Sequence, residues 1–158
     1  MDSGKLFEKD FKDSCLLEDT KISIDRLYDP VGGFKGVRNI CDFICYKFPY
    51  EYYLELKSHK GKSFPISGIT ETQYDGLLLK QPIEGVTAGV IIKYSDYDVA
   101  YFVPIFKIRG LVRIGHKSIS IEAAKALGVE MQGRKKRVTF QYDVLKLFND
   151  IGGMPSGN

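Results

Sequence analysis

Asp42, Glu55 and Lys57 are the residues whose types and spacing suit chemistry. Asp42 interrupts the apolar run Ile40-Cys41-Asp42-Phe43-Ile44-Cys45-Tyr46, and Glu55 sits between Leu54 and Leu56 with Lys57 just beyond. An apolar strand rarely holds a carboxylate without a partner. The runs 40–46 and 51–57 read as two strands joined by the four-residue loop Lys47-Phe48-Pro49-Tyr50. Antiparallel pairing through that loop sets position 46 against 51 and Asp42 against Glu55. Directly opposed residues share a face with Cβ atoms ~4.5–5.5 Å apart, and strand alternation adds Lys57 to that face.

Two carboxylates that close resist ionising together unless a cation lies between them. Mg²⁺ takes one or two carboxylates at ~2.0–2.1 Å and fills its other positions with water and phosphate oxygens. A protonated lysine does not ligate metal; it holds a phosphate oxygen or orients the attacking water. Acid, acid and lysine on adjoining strands therefore suit metal-assisted phosphodiester hydrolysis, with Asp42 and Glu55 as metal ligands. The plain alternative is a surface hairpin with a Glu–Lys pair, which contributes little energy; the buried setting of Asp42 speaks against it.

Other motifs carry less. Gly61-Lys62-Ser63 lacks the glycine five residues earlier that a phosphate loop requires, since position 56 is Leu. His59 and His116 stand alone without a nucleophile pattern and read as surface residues. Cys15, Cys41 and Cys45 form no CxxC pair, and Cys41 and Cys45 read as packing residues in a reduced, cytoplasmic protein.

The elements that must position the acids follow from periodicity. Leu6, Phe7, Phe11, Cys15 and Leu16 predict a helix over 4–18, and 21–28 alternates as a strand ended by Asp29-Pro30. After the two acid-bearing strands, 70–81 suits a helix capped by Thr70. Residues 88–94 and 98–103 read as core strands, and 120–127 and 142–149 as short helices. The order predicts one α/β domain over 1–151 with a basic, helical C-terminal part, and a flexible tail over 152–158.

The chain has 158 residues and a net charge of +3, unevenly spread. Residues 105–158 carry ten Lys/Arg against four Asp/Glu, and residues 1–104 carry thirteen against sixteen. That asymmetry points to an anionic partner for the C-terminal third. No apolar run approaches a membrane span, and the N-terminus lacks a basic-then-apolar signal pattern.

Asp42, twelve residues, then Glu55-Leu56-Lys57, with a helix before and the Gln73-bearing helix after, resembles the PD-(D/E)xK nuclease core. Within that superfamily the chain resembles the RecU-type Holliday junction resolvases of Gram-positive bacteria and their phages. The likeness covers nearly the whole chain: Gly4-Lys5-Leu6-Phe7-Glu8, Cys41-Asp42-Phe43, Glu55-Leu56-Lys57, Lys62-Ser63-Phe64-Pro65 with Gln73, His116-Lys117-Ser118-Ile119 and Tyr142-Asp143-Val144. The resemblance implies a restriction-endonuclease-like core with a mixed central sheet flanked by helices. It also implies a homodimeric, Mg²⁺-dependent endonuclease, with Mn²⁺ as substitute ion, that nicks two opposed strands of branched DNA. Glu8 would then assist the metal from the first helix and Gln73 support the site from its own; without the resemblance, Gln73 reads equally as a helix-capping residue. No nucleotide cofactor is implied.

One departure concerns the stalk such resolvases insert between the first strand and the catalytic pair. Here that interval is only Tyr28–Asn39, where Lys35 and Arg38 would touch phosphates. Phosphate contact is also expected from Arg26, Lys62 and the run Arg134-Lys135-Lys136-Arg137, with Lys107, Arg109, Arg113 and Lys117 extending the surface; a solvated turn is the bland reading of the run. The expected function is a junction-resolving endonuclease, compact enough to suggest a phage protein. A nuclease for other DNA structures and a non-catalytic DNA-binding factor are the alternatives.

Overall fold

Phe7, Phe11 and Cys15 recur every four residues, and burying that stripe folds Ser3–Leu16 into the first helix, α1. Asp2 caps it, accepting from the Lys5 N–H at 2.8 Å. The structure is a computed structural model describing residues 2–29 and 38–155. Among those residues no helix is long and apolar enough to cross a membrane.

After α1 come β1 (Ser23–Arg26), β2 (Phe43–Lys47), β3 (Tyr50–His59), β4 (Ser63–Pro65) and α2 (Glu71–Lys80). Then follow β5 (Val86–Tyr94), β6 (Val99–Pro104), α3 (Ile105–Arg113), β7 (Ser118–Ser120) and α4 (Ile121–Leu127). The chain ends with β8 (Val129–Glu130), β9 (Gly133–Lys136), β10 (Thr139–Tyr142) and α5 (Val144–Ile151). Six strands form one mixed sheet in the order β1-β2-β3-β5-β6-β8, in which β3 and β5 are parallel and every other pair antiparallel. The β3-to-β5 crossover passes through α2, as a parallel connection requires. Strand β5 is buried from Thr87 to Tyr94, so it reads as a nearly unbroken apolar run.

Two cores cover the two faces of the sheet. Phe7, Phe11 and Cys15 of α1 pack with Leu147, Phe148 and Ile151 of α5 against Phe43, Leu54 and Phe102. On the other face Leu77 of α2, Ile105 and Ile108 of α3 and Ala124 of α4 meet Val90, Ile92 and Val103. Gly76 sets how closely α2 approaches the residues leading into β2: a Cβ there would lie 2.2 Å from Ile40 Cγ2.

Several expectations change in detail. Lys47 pairs with Tyr50, so the β2–β3 loop is the two residues Phe48-Pro49, while the expected register, Tyr46 against Glu51, is observed. Residues 105–113, left without an element by the sequence, form α3, and Lys62–Pro65 leads into a small ladder with β7. The basic run is not helical: residues 133–142 form a two-stranded ribbon turned by Arg137, whose φ is 58°. At the C-terminus Met154 packs against the core and Gly152 abuts Tyr50, while 156–158 lie outside the described residues.

Gly76→Ala should lower stability by about 1–3 kcal/mol through overpacking against Ile40, outweighing the ~1 kcal/mol that alanine gains in helix propensity. Thermal unfolding checks this, with a fall of about 2–4 °C expected per kcal/mol. An unchanged or higher melting temperature would show that Ile40 yields without cost.

Candidate active site

The strand register carries the site. Asp42 directly precedes β2, where its N–H donates to the Leu54 carbonyl (3.2 Å) and its carbonyl accepts from the Leu27 N–H (2.7 Å). Its backbone is thus held between β1 and β3. The side chain is held as well: Oδ2 accepts from the Leu56 N–H at 2.9 Å, and Oδ1 lies 3.4 Å from Arg26 Nη2. Glu55, only 2% exposed, reaches the same place from β3 and hydrogen-bonds the Asp42 carboxyl. Among the described residues its Oε2 is buried without a hydrogen-bond partner.

Burial is the main force holding the Glu55 carboxyl well above the ordinary carboxylate range, followed by the hydrogen bond to Asp42 and its charge; Lys57 pulls the other way. Glu8 of α1 is raised too, by burial first and then by Asp42, against the opposing pull of Arg26. Arg26 reaches it from β1, Nε and Nη2 both donating to Glu8 Oε2 at 3.2 and 3.0 Å. Cys41, beside the acids, has its thiol pushed up to about 12, by burial and then by Glu55.

Asp42 and Glu55 open onto a cleft of about 280 Å³, lined also by Arg26, Leu27, Tyr28, Asp29, Asn39, Cys41 and Gln73. Gln73 has two jobs there. It completes the α2 capping box, its Oε1 accepting from the Thr70 N–H at 3.0 Å, and it forms part of the cleft wall.

The structure thus brings together Glu8, Arg26, Asp42, Glu55 and Gln73, with Lys57 close enough to act on the Glu55 charge. Arg26, expected on a DNA-facing surface, is instead inside the acidic cluster with its side chain 18% exposed. Lys62 stands apart on the exposed turn before β4, and Arg38 is exposed near Asn39. Lys35 lies outside the described residues. The 133–142 ribbon is held to α1 by buried side chains: Asp10 accepts from the Phe140 N–H (3.0 Å) and Ser14 from the Tyr142 N–H (2.9 Å). Within it Lys135 pairs with Asp98 at 3.2 Å, whereas Arg134, Lys136 and Arg137 are exposed and form no ion pair among the described residues. Sequence reasoning missed Cys41 as a cleft residue and the polar anchors Asp10 and Ser14; the one available signal was Asp10 and Ser14 lying between apolar positions of α1.

The donor set fits a divalent cation. Two carboxyls share one buried spot, and among the described residues one of their oxygens lacks a hydrogen-bond partner. Among the described residues no three His, Cys, Asp or Glu side chains converge as a metal-binding group. Asp42 and Glu55 are the two carboxyls at this spot that could hold a metal ion, with its other positions left to water and phosphate.

The six-stranded mixed sheet with helices on both faces defines a mixed α/β fold. Hjc, a Holliday junction resolvase from the archaeal hyperthermophile Archaeoglobus fulgidus, shares it with a TM-score of 0.57 and 19% identity, over 80% of this chain and 95% of that one. At that identity the likeness shows the fold. No family model matches the sequence, and no curated protein does.

The raised Glu55 carboxyl predicts that stability without metal depends on pH. The unfolded chain releases this proton near pH 4.3, whereas the folded protein retains it to higher pH. Stability should therefore fall as pH rises above about 4.3, by up to ~1.4 kcal/mol per pH unit, until the folded carboxyl ionises. Glu55→Gln should remove that slope and melt higher than the parent at pH 8 without metal. Mg²⁺ should raise the parent's melting temperature and leave the variant unmoved. Parallel pH profiles for the two proteins would refute the assignment.

Proposed function

We propose that this protein is a metal-dependent, structure-selective DNA endonuclease that resolves four-way junctions by paired symmetric nicks. The observation that carries the proposal is the Asp42–Glu55 carboxyl pair, with its unpartnered buried oxygen and Lys57 on the same strand face. Mg²⁺, or Mn²⁺ in its place, would polarise the scissile phosphate and neutralise charge developing on its oxygens. Asp42 and Glu55 would hold it. Lys57 orients the attacking water or a phosphate oxygen, Gln73 shapes the cleft wall, and Glu8 supports the site through Arg26.

The shared fold with a resolvase supports branched DNA as substrate. Two symmetric nicks with one such site per chain call for a homodimer on a two-fold axis. We take the chain as a RecU-type enzyme of phage origin acting in its host's cytoplasm. Lys35, Arg38 and Lys62 are assigned to phosphate contact, and Arg134, Lys136 and Arg137 to contact with a duplex arm. Lys135 belongs to that run but spends its charge on Asp98.

A second reading, a nuclease for flaps, ends or damaged duplex, is favoured by the short interval 28–39. Cleavage of a labelled immobile junction and its matched linear duplex, with Mg²⁺ titrated, separates the two. Paired symmetric nicks in the junction alone, lost in Asp42→Asn, are expected. Equal cutting of both substrates would retain the nuclease and remove junction selectivity. Binding by both proteins without cutting by either would point to a DNA-binding factor.

The ribbon makes a separate prediction. The Arg134→Ala/Lys136→Ala/Arg137→Ala triple variant should flatten the salt dependence of junction binding by ~0.9 in log–log slope per cation removed. Lys135→Ala should change it less than any single member of the three, measured by fluorescence anisotropy in EDTA.

A further inference from the structure

Arg26 is the most fully engaged cation near the cleft. Nε and Nη2 donate to one oxygen of Glu8, and Nη1 donates to the carbonyls of Leu27 and Asp42. Nη2 also lies 3.4 Å from Asp42 Oδ1. Its guanidinium carbon stands 4.9 Å from the Tyr28 ring centroid and 5.5 Å from that of Phe43. A guanidinium so placed must give up several bonds to reach a phosphate in solvent. The contacts also bear on Glu8, whose Oε2 accepts both Arg26 bonds.

We propose that Arg26 is a positioning residue, not a DNA contact: it retains Glu8 as its counter-ion and fixes Asp42 for metal binding. This rests on the metal-site reading above. Asp42 is gripped at Oδ1 by Arg26, at Oδ2 by the Leu56 N–H, and at its carbonyl by Arg26 and the Leu27 N–H. That leaves Glu55 Oε2 as the unpartnered oxygen beside it. Glu8 cancels the guanidinium charge, so the clamp orients Asp42 without leaving an extra cation to repel the metal. Only a planar fork does this; a lysine ammonium is a single point charge and cannot hold Glu8, Asp42 and two carbonyls at once.

The Nε–H resonance of Arg26 in ¹⁵N-edited NMR spectra of the parent tests the clamp directly, assigned by its loss in Arg26→Lys. Slow solvent exchange is expected without metal and unchanged when Mg²⁺ is added. Loss of protection on adding Mg²⁺ would mean that Glu8 leaves Arg26 for the ion, and the proposal would fall. The second measurement separates clamp from phosphate contact. Arg26→Lys should bind junction DNA in EDTA with the parent's affinity and salt slope, yet turn over at saturating junction at least about tenfold more slowly. Weaker binding, or turnover at saturation equal to the parent's, would overturn it. Arg26→Gln should bind with a salt slope equal to the parent's; a slope lower by ~0.9 would make Arg26 a phosphate contact. Should the parent cut no DNA at all, the nuclease reading fails, and the resonance still decides whether Glu8 and Arg26 form a permanent pair.

Discussion

Everything around the cleft answers to one contact, that of the Asp42 carboxyl with the Glu55 carboxyl between two strands. Placing two acids together with one of them 2% exposed is unfavourable on two counts, lost hydration and mutual repulsion. The protein reduces the cost from several sides: a backbone N–H from Leu56, the Arg26 guanidinium, the Lys57 charge and retention of the Glu55 proton. It does not remove it, because Glu55 Oε2 still has no partner among the described residues. Such a pair persists only where surrounding packing holds it, and a cation bound there would relieve the cost.

The packing that holds it is the middle of the sheet. Strand β3 is hydrogen-bonded on both sides, to β2 and β5, and β5 is buried along nearly its whole length. Helix α2 closes the cleft side, with Gly76 permitting its approach to Ile40. Helix α1 covers the opposite face and joins two regions: Glu8 meets Arg26 of β1, while Asp10 and Ser14 anchor the basic ribbon. Lys93, buried to 9% exposure, has its ammonium 3.7 Å from the Phe140 ring centroid and ties the ribbon to β5 as well. The ribbon is therefore held by buried polar contacts despite standing outside the main sheet.

Much of this was legible in residue order. The stripe of α1, the Thr70 cap of α2 and the apolar run of β5 are local signals, and the β2–β3 register followed from a short connection between two apolar runs. The ribbon was illegible because Gly133–Lys136 is all exposed and carries no alternation of apolar and polar residues. Its strand state comes from pairing with β10 and from Asp10 and Ser14, more than 120 residues away in sequence. Helix α3 was missed because its apolar positions follow directly on β6, leaving no cap signal: Pro104 precedes it without a side-chain capping bond.

By itself the sequence determined which residues share a strand face, and hence that Asp42, Glu55 and Lys57 belong together, because strand alternation and a short hairpin leave little freedom. Only the tertiary structure decided the electrostatic roles. Arg26 and Arg134 look alike in sequence, yet one is enclosed by Glu8 and Asp42 and the other is exposed on a ribbon. Lys135 and Lys136 are neighbours, yet only Lys135 meets an acid, Asp98. A charge acts through what lies within a few ångströms of it, and those neighbours come from distant parts of the chain that only folding brings together.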